Sequence, residues 1–296
     1  MAQNRRRTTS RRELGRNPRF EQISPEVGEL DESAVEEGLV DDPDETLALL
    51  ADLTGATDPR LRELARRLAG RLFLDIGRRG TARQRGIGKL QELPYAPDRG
   101  DLDLDASLEA IVEGRAGTID VERLRVRGWV RPGTALCLLV DRSGSMGGKP
   151  LATSAVAAAA VASRSPSDYS VLAFGKDVVV AKSQDFQKPG DLVINDVLSL
   201  RGHGTTDLAG ALRIAALQLS RSRAARKITI MLSDCRATVD GDPVAAAAAL
   251  DELVVIAPES DADEAAAFAR TVGAAFTTVS GPSAVADAIT RALDRA

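Results

Sequence analysis

Hydrophobic and polar positions follow two different patterns along this chain, and the change falls near Thr134. From there on, short apolar runs alternate with longer amphipathic ones. Ala135-Leu-Cys-Leu-Leu-Val is a continuous apolar run ending in Asp141, as expected of a strand buried on both faces. A helix is predicted over about 150–163. Tyr169-Ser-Val-Leu-Ala-Phe and Asp177-Val-Val-Val-Ala follow as two strands joined by a tight Gly175-Lys176 turn. Helices are expected over about 189–199 and 208–220, and Ile228-Thr-Ile-Met-Leu-Ser is a further buried strand ending at Asp234. The series closes with a helix from Pro243, a strand over 252–256, a helix over 262–272, a strand over 275–279 and a final helix. Strands alternating with helices give an α/β fold: a doubly wound, mostly parallel six-stranded sheet with helices on both faces.

Upstream the pattern is helical and the charges are segregated. Residues 1–20 carry seven arginines against Glu13, and residues 21–45 carry eleven acids and no base. Opposed charge blocks with few large apolar residues predict a disordered arm over 1–45. Leu61, Leu64, Ala65, Leu68, Leu72 and Phe73 recur at helical spacing among Arg60, Arg62, Arg66, Arg67 and Arg71, which predicts an amphipathic helix with a basic face. Gly and Pro between 85 and 97 read as loop. A second short helix begins near Asp101, with Asp105 or Ser107 as its cap. The expected organisation is thus an arm over 1–45, an Arg-rich helical region over 46–131 and the α/β domain over 132–296.

Composition removes several kinds of chemistry. The net charge is −4, aromatic residues make up 3%, and His203 is the one histidine. Base-stacking platforms and His-based triads therefore lack raw material, and nucleic acid is not an expected partner despite the clustered arginines. Cys137 and Cys235 form no C-x-x-C pair, so neither a disulfide framework nor a zinc site is read. No apolar run approaches the length of a membrane span, and no apolar segment follows Arg5–Arg7 as a signal peptide requires. A cytoplasmic location is expected.

The strand ends carry the candidate chemistry, because ligand sites of such sheets lie beyond the carboxyl ends of the strands. Asp141-Arg-Ser-Gly-Ser puts Asp141, Ser143 and Ser145 at alternate positions of one loop. The loop Gly202-His-Gly-Thr-Thr-Asp supplies Thr205 and Thr206, and the strand over 228–233 delivers Asp234. Carboxylate and hydroxyl oxygens without His or Cys suit a hard cation, Mg²⁺ first. With few anionic ligands the ion stays electrophilic and accepts a partner's carboxylate.

The pentapeptide from Asp141, the Gly-x-Thr-Thr-Asp loop and Ser233-Asp234, in that order, resemble the metal-ion-dependent adhesion site of von Willebrand factor A domains, over about 132–296. The resemblance implies that Asp141, Ser143, Ser145, Thr206 and Asp234 hold the metal, with Mn²⁺ or Ca²⁺ as alternatives to Mg²⁺. Thr206 matches the metal threonine better than Thr205. Two positions depart from the pattern. Cys235 stands where Gly is usual, so a positive φ there costs energy, and Arg142 is expected to add positive charge near the cation. The Arg-rich region and the Gly-Asp-Leu-Asp-Leu-Asp segment look like bacterial proteins that work with MoxR-type AAA+ ATPases, the CoxE-like and magnesium-chelatase D-type proteins among them. The implied function is a protein-binding adaptor or co-chaperone, with the ATPase acting in trans.

Catalytic alternatives meet specific obstacles. A P-loop fails at Ser143 and Pro150 around Gly148-Lys149, and no G-x-S-x-G elbow surrounds either serine. A Mg²⁺-dependent phosphatase with Asp141 as nucleophile normally has a second Asp two residues on, where Ser143 stands. A non-enzymatic chain is expected, with that phosphatase and an adhesion module as the alternatives.

Overall fold

The computed structural model describes residues 8–79, 89–94, 101–112, 123–130, 133–142, 147–202 and 204–295. Two compact units are present, one of Met1–Ala82, Thr134–Arg223 and Lys227–Ala296, the other of Arg83–Gly133 with Ala224–Arg226.

The larger unit is built on a six-stranded sheet. Its strands are β4 (Thr134–Asp141), β5 (Tyr169–Phe174), β6 (Val178–Lys182), β7 (Arg226–Leu232), β8 (Glu252–Pro258) and β9 (Ala275–Val279), in the spatial order β6-β5-β4-β7-β8-β9. β4 pairs with β5 in parallel, as do β7 with β8 and β8 with β9, while β6 returns antiparallel beside β5. The expected doubly wound α/β architecture is therefore present, with the hairpin strand β6 at one edge. Alternation along the strands divides the core between two faces. Leu136, Leu138, Val140, Ile228, Ile230 and Ile256 point to one side, and Cys137 and Leu139 to the other, all buried.

On the first face lies α7 (Lys149–Arg164), flanked by α8 (Gly190–Leu198) and α12 (Val285–Arg295). The opposite face carries α9 (Leu208–Leu219), α10 (Pro243–Ala247) and α11 (Asp263–Val272). α7 is buried on all sides, with every residue from Ala155 to Val161 at 0% exposure, as an all-round apolar helix requires. Its alanines are therefore core. What covers them is the N-terminal segment.

Residues 8–45 correct the expectation of a disordered arm. They form α1 (Arg11–Leu14), α2 (Phe20–Ile23), α3 (Glu32–Asp41) and the start of α4 (Pro43–Leu53), followed by α5 (Pro59–Gly77). Leu14, Phe20, Ile23 and Val35 are at most 4% exposed and join one continuous core with α4, α5, α7 and the sheet. The charged residues that suggested disorder cap and brace these helices. Ser10 and Glu13 make a capping box, and Asp31, Asp42 and Asp58 cap α3, α4 and α5. Arg11 donates to Ser24 O at 2.8 Å and stacks on Phe20. The basic face of α5 is likewise turned inward in part: Arg62 donates to Ala56 O and Arg66 to Thr54 O, while Arg71 pairs with Glu32 at the surface.

α5 and α7 approach closely because Gly77 has no side chain. A Cβ there would lie 2.6–2.7 Å from Ala159 and the backbone of Ala160. Arg164 locks the same corner, donating to Gly77 O at 3.0 Å, Ala160 O at 2.9 Å and Ala286 O at 2.9 Å. Replacing Arg164 with Leu leaves these carbonyls without their donor, and a loss of about 2–3 kcal/mol is expected in urea unfolding.

The smaller unit adds strands to what was expected to be a region of helices and loop over 46–131. It contains an antiparallel sheet, with β3 (Arg125–Val130) between β1 (Lys89–Pro94) and β2 (Asp101–Leu102), and helix α6 (Leu104–Val112). β1 falls where Gly and Pro suggested loop; those breakers flank the strand, and Pro94 closes it. The cap of α6 is Asp103, which accepts from Ala106 N at 3.1 Å and pairs with Arg127 Nε at 2.6 Å. Neither expected cap, Asp105 or Ser107, takes that role; Ser107 hydrogen-bonds the backbone of Arg125 instead. Among the described residues no helix is long and apolar enough to cross a membrane.

Candidate metal centre

Asp141 is the last residue of β4, and Ser233-Asp234 immediately follow β7, the strand beside it. One hydrogen bond closes the gap between the two strand ends: Ser233 Oγ donates to Asp141 Oδ2 at 2.5 Å. Ser233 Oγ in turn accepts from Cys235 N at 2.8 Å, so one hydroxyl fixes both a carboxylate and the turn carrying Asp234. Asp234 Oδ1 accepts from Arg236 N at 3.0 Å. Both aspartates are half-buried.

The turn after Asp234 has the strained backbone its sequence suggests. Cys235 has a φ of +62°, the one non-glycine in the left-handed region among the described residues, a conformation that glycine adopts without steric cost. Burial pushes its thiol up to about 12, and that of Cys137, inside β4, to about 12 as well. Neither thiol should react with a disulfide reagent at pH 8 in the native state, whereas both should react once the chain is unfolded; rapid native labelling would contradict this burial. Because both values are raised from 9.0, the folded state holds these protons longer than the unfolded chain. Stability should therefore fall as pH rises through 9 toward 12.

Thr206 reaches the same edge from the loop before α9. It is 1% exposed, whereas Thr205 is exposed. Its N–H donates to Thr238 Oγ1 at 2.7 Å, and its carbonyl accepts from Thr238 N and Val239 N, which ties the threonine loop to the segment after Asp234. Asp207 N donates to Gly175 O, and Asp207 caps α9 through Gly210 N. Ser233 thus ties Asp141 to the turn that carries Asp234, and Thr238 ties the Thr206 backbone to the segment after that turn. Ser143, Ser145 and His203 lie outside the described residues.

Arg142 differs from its expected role. Its side chain is buried, donates to Asp177 O at 3.2 Å and forms an ion pair with the Asp177 carboxylate, while its N–H donates to Phe174 O. Its charge is thereby committed to the β5–β6 turn instead of standing as a free cation beside the metal ligands. Sequence reasoning gave no role to Ser233 or Thr238, although a hydroxyl next to a strand-end aspartate was a readable signal for the first. Asp52 of α4 is a further unexpected neighbour: its carboxylate accepts from Gly148 N at 2.8 Å, holding the chain just beyond the serine loop. Burial raises its pKa, with the Gly148 bond acting in the opposite sense.

The donor set fits a hard divalent cation. Among the described residues no three His, Cys, Asp or Glu gather as a metal cluster, so a soft or heavily anionic site is not built from them. Two aspartates with hydroxyl donors form an oxygen-only set of low charge.

Residues 136–236 match the family model of the von Willebrand factor type A domain. The matched segment runs from β4 through the turn after Asp234, and so contains all five candidate ligands. Similar solved structures include a von Willebrand factor type A from Catenulispora acidiphila, at 15% identity and a TM-score of 0.41 over 56% of this chain and 43% of that one. Proximal thread matrix protein 1 from the mussel byssus, with a zinc occupied MIDAS motif, is 14% identical, with a TM-score of 0.42 over 55% and 47% of the two chains. The vWF domain of the type V pili tip protein Mfa5 from Porphyromonas gingivalis is 20% identical, with a TM-score of 0.32 over 36% and 40%. This chain spans less than half the length of each of the three. No curated protein matches it.

Proposed function

We propose that this chain is a metal-dependent protein-binding adaptor, not an enzyme, acting in the cytoplasm with an AAA+ ATPase of the MoxR type in trans. The observation that carries the metal-binding part is the 2.5 Å bond from Ser233 Oγ to Asp141 Oδ2, which draws the two aspartate-bearing strand ends together. Asp141, Ser143, Ser145, Thr206 and Asp234 are the residues that hold the ion, with Mg²⁺ as the proposed species. When bound, the ion supplies an electrophilic position for the carboxylate of a partner. The protein's own contribution is orientation: Ser233 fixes the Asp141 carboxylate, and the Thr206–Thr238 pairing fixes the threonine loop. The ATPase part rests on the sequence resemblance alone.

Affinity capture from cells tests the two parts separately, comparing the intact chain in Mg²⁺, in EDTA, and as Asp141→Ala. An AAA+ ATPase recovered only by the unaltered chain in Mg²⁺ supports both parts. Equal recovery in EDTA contradicts the metal bridge, and Mg²⁺-dependent capture without any AAA+ ATPase contradicts that partner.

A further inference from the structure

A depression of about 740 Å³ lies beside the candidate metal loop, within the larger unit, and the metal chemistry described above does not use it. One wall comes from the N-terminal helices. The other comes from Gly147-Gly148, just after the metal-site serines, and from Ser199–Gly202, which lead into the threonine loop. The groove thus shares both of its inner edges with segments that carry proposed metal ligands. Its size is within the range of about 300–1,000 Å³ usual for ligand sites.

Charge decides what it fits. Four arginines, Arg16, Arg62, Arg66 and Arg201, line it against two acids, Glu13 and Asp52. The lining therefore carries a formal excess of two positive charges, and both acids are held in place by internal hydrogen bonds. The Glu13 carboxylate accepts from Ser10 N at 2.9 Å and from Ser10 Oγ at 3.0 Å, and the Asp52 carboxylate from Gly148 N at 2.8 Å. Arg62 and Arg66 hold backbone carbonyls of the α4–α5 connection. Arg16 is exposed and Arg201 half-buried, and among the described residues neither forms an ion pair.

We infer that this groove docks an acidic peptide segment of the partner, with glutamates or aspartates flanking the carboxylate that reaches the metal. The inference rests on the metal-bridge reading and adds the partner's local sequence chemistry to it. Arg16 and Arg201, which form no ion pair among the described residues, would select partners of opposite charge and speed their encounter in a salt-dependent way. The N-terminal segment therefore does more than cover α7, because it supplies three of the four arginines, Arg16 from the α1–α2 turn and Arg62 and Arg66 from α5.

The test uses the full chain and a fluorescein-labelled hexaglutamate peptide, read by anisotropy at low salt in Mg²⁺ and in EDTA. The combined change Arg16→Gln with Arg201→Gln is expected to weaken binding at least about tenfold, equivalent to roughly 1.4 kcal/mol. The corresponding pair Arg16→Lys with Arg201→Lys should restore most of it, which separates charge from misfolding. Unchanged binding in the Gln pair, or no binding by the unaltered chain, would overturn the groove. Equal or tighter binding of single-stranded dT12 would overturn the acidic-peptide assignment in favour of a nucleic acid surface. Binding that survives EDTA but is lost in the Gln pair would keep the groove and remove the metal bridge. Metal binding retained by a chain indifferent to hexaglutamate would do the reverse.

Discussion

Removing residues 1–45 is expected to abolish the native, cooperatively unfolding state. Leu14, Phe20, Ile23 and Val35 are each buried to within 4% of full coverage, and burying such a side chain contributes about 1.5–3 kcal/mol. Their combined loss, about 6–12 kcal/mol as an upper estimate, is comparable to the whole stability of a typical domain, about 5–15 kcal/mol. The truncation also strips cover from α4, whose Leu47, Leu50 and Leu53 are at 0% exposure. Thermal unfolding and binding of a hydrophobic dye report the outcome. A broad or absent transition with strong dye binding is expected, whereas a solvated arm would leave the melting temperature unchanged.

Asp141→Ala is expected to eliminate Mg²⁺-dependent partner binding while leaving the fold intact. It removes a proposed ligand and also the acceptor that Ser233 Oγ uses. Ser233→Ala tests the orienting role alone: it keeps both aspartates but releases Asp141 and the Cys235 turn. Loss of such an orienting partner typically costs about 10–100-fold in metal affinity, so Ser233→Ala should be intermediate between the unaltered chain and Asp141→Ala. Calorimetric titration with Mg²⁺ measures the series, and circular dichroism checks the fold. A Ser233→Ala chain with unaltered affinity would show that the serine does not position the metal carboxylate.

The six-stranded sheet was legible because its strands are continuous apolar runs with helices between them, a signal that arises from burial on both faces. The strand-end aspartates were legible for a related reason: Asp141 and Asp234 close such runs at the edge where ligands bind. The N-terminal layer was not. Its apolar residues are spread thinly among charges, and those charges act as caps, as Asp31, Asp42 and Asp58 show. Local composition could not distinguish a capped short helix from a solvated chain, because what stabilises α1–α3 is burial against distant segments. The same limit hid Asp52, whose partner Gly148 is 96 residues away. Arg142 was misread because its neighbour Asp177 is brought in by the β5–β6 turn, a contact that no spacing rule supplies.

The claim that the strand ends form a divalent-cation centre is tested most directly by Mn²⁺ titration followed by electron paramagnetic resonance, with Mg²⁺ as competitor. The account predicts one Mn²⁺ bound per chain, displaced by Mg²⁺ and lost in both Asp141→Ala and Thr206→Ala. No Mn²⁺ binding by the unaltered chain, or the same stoichiometry and affinity in the two variants, would contradict it.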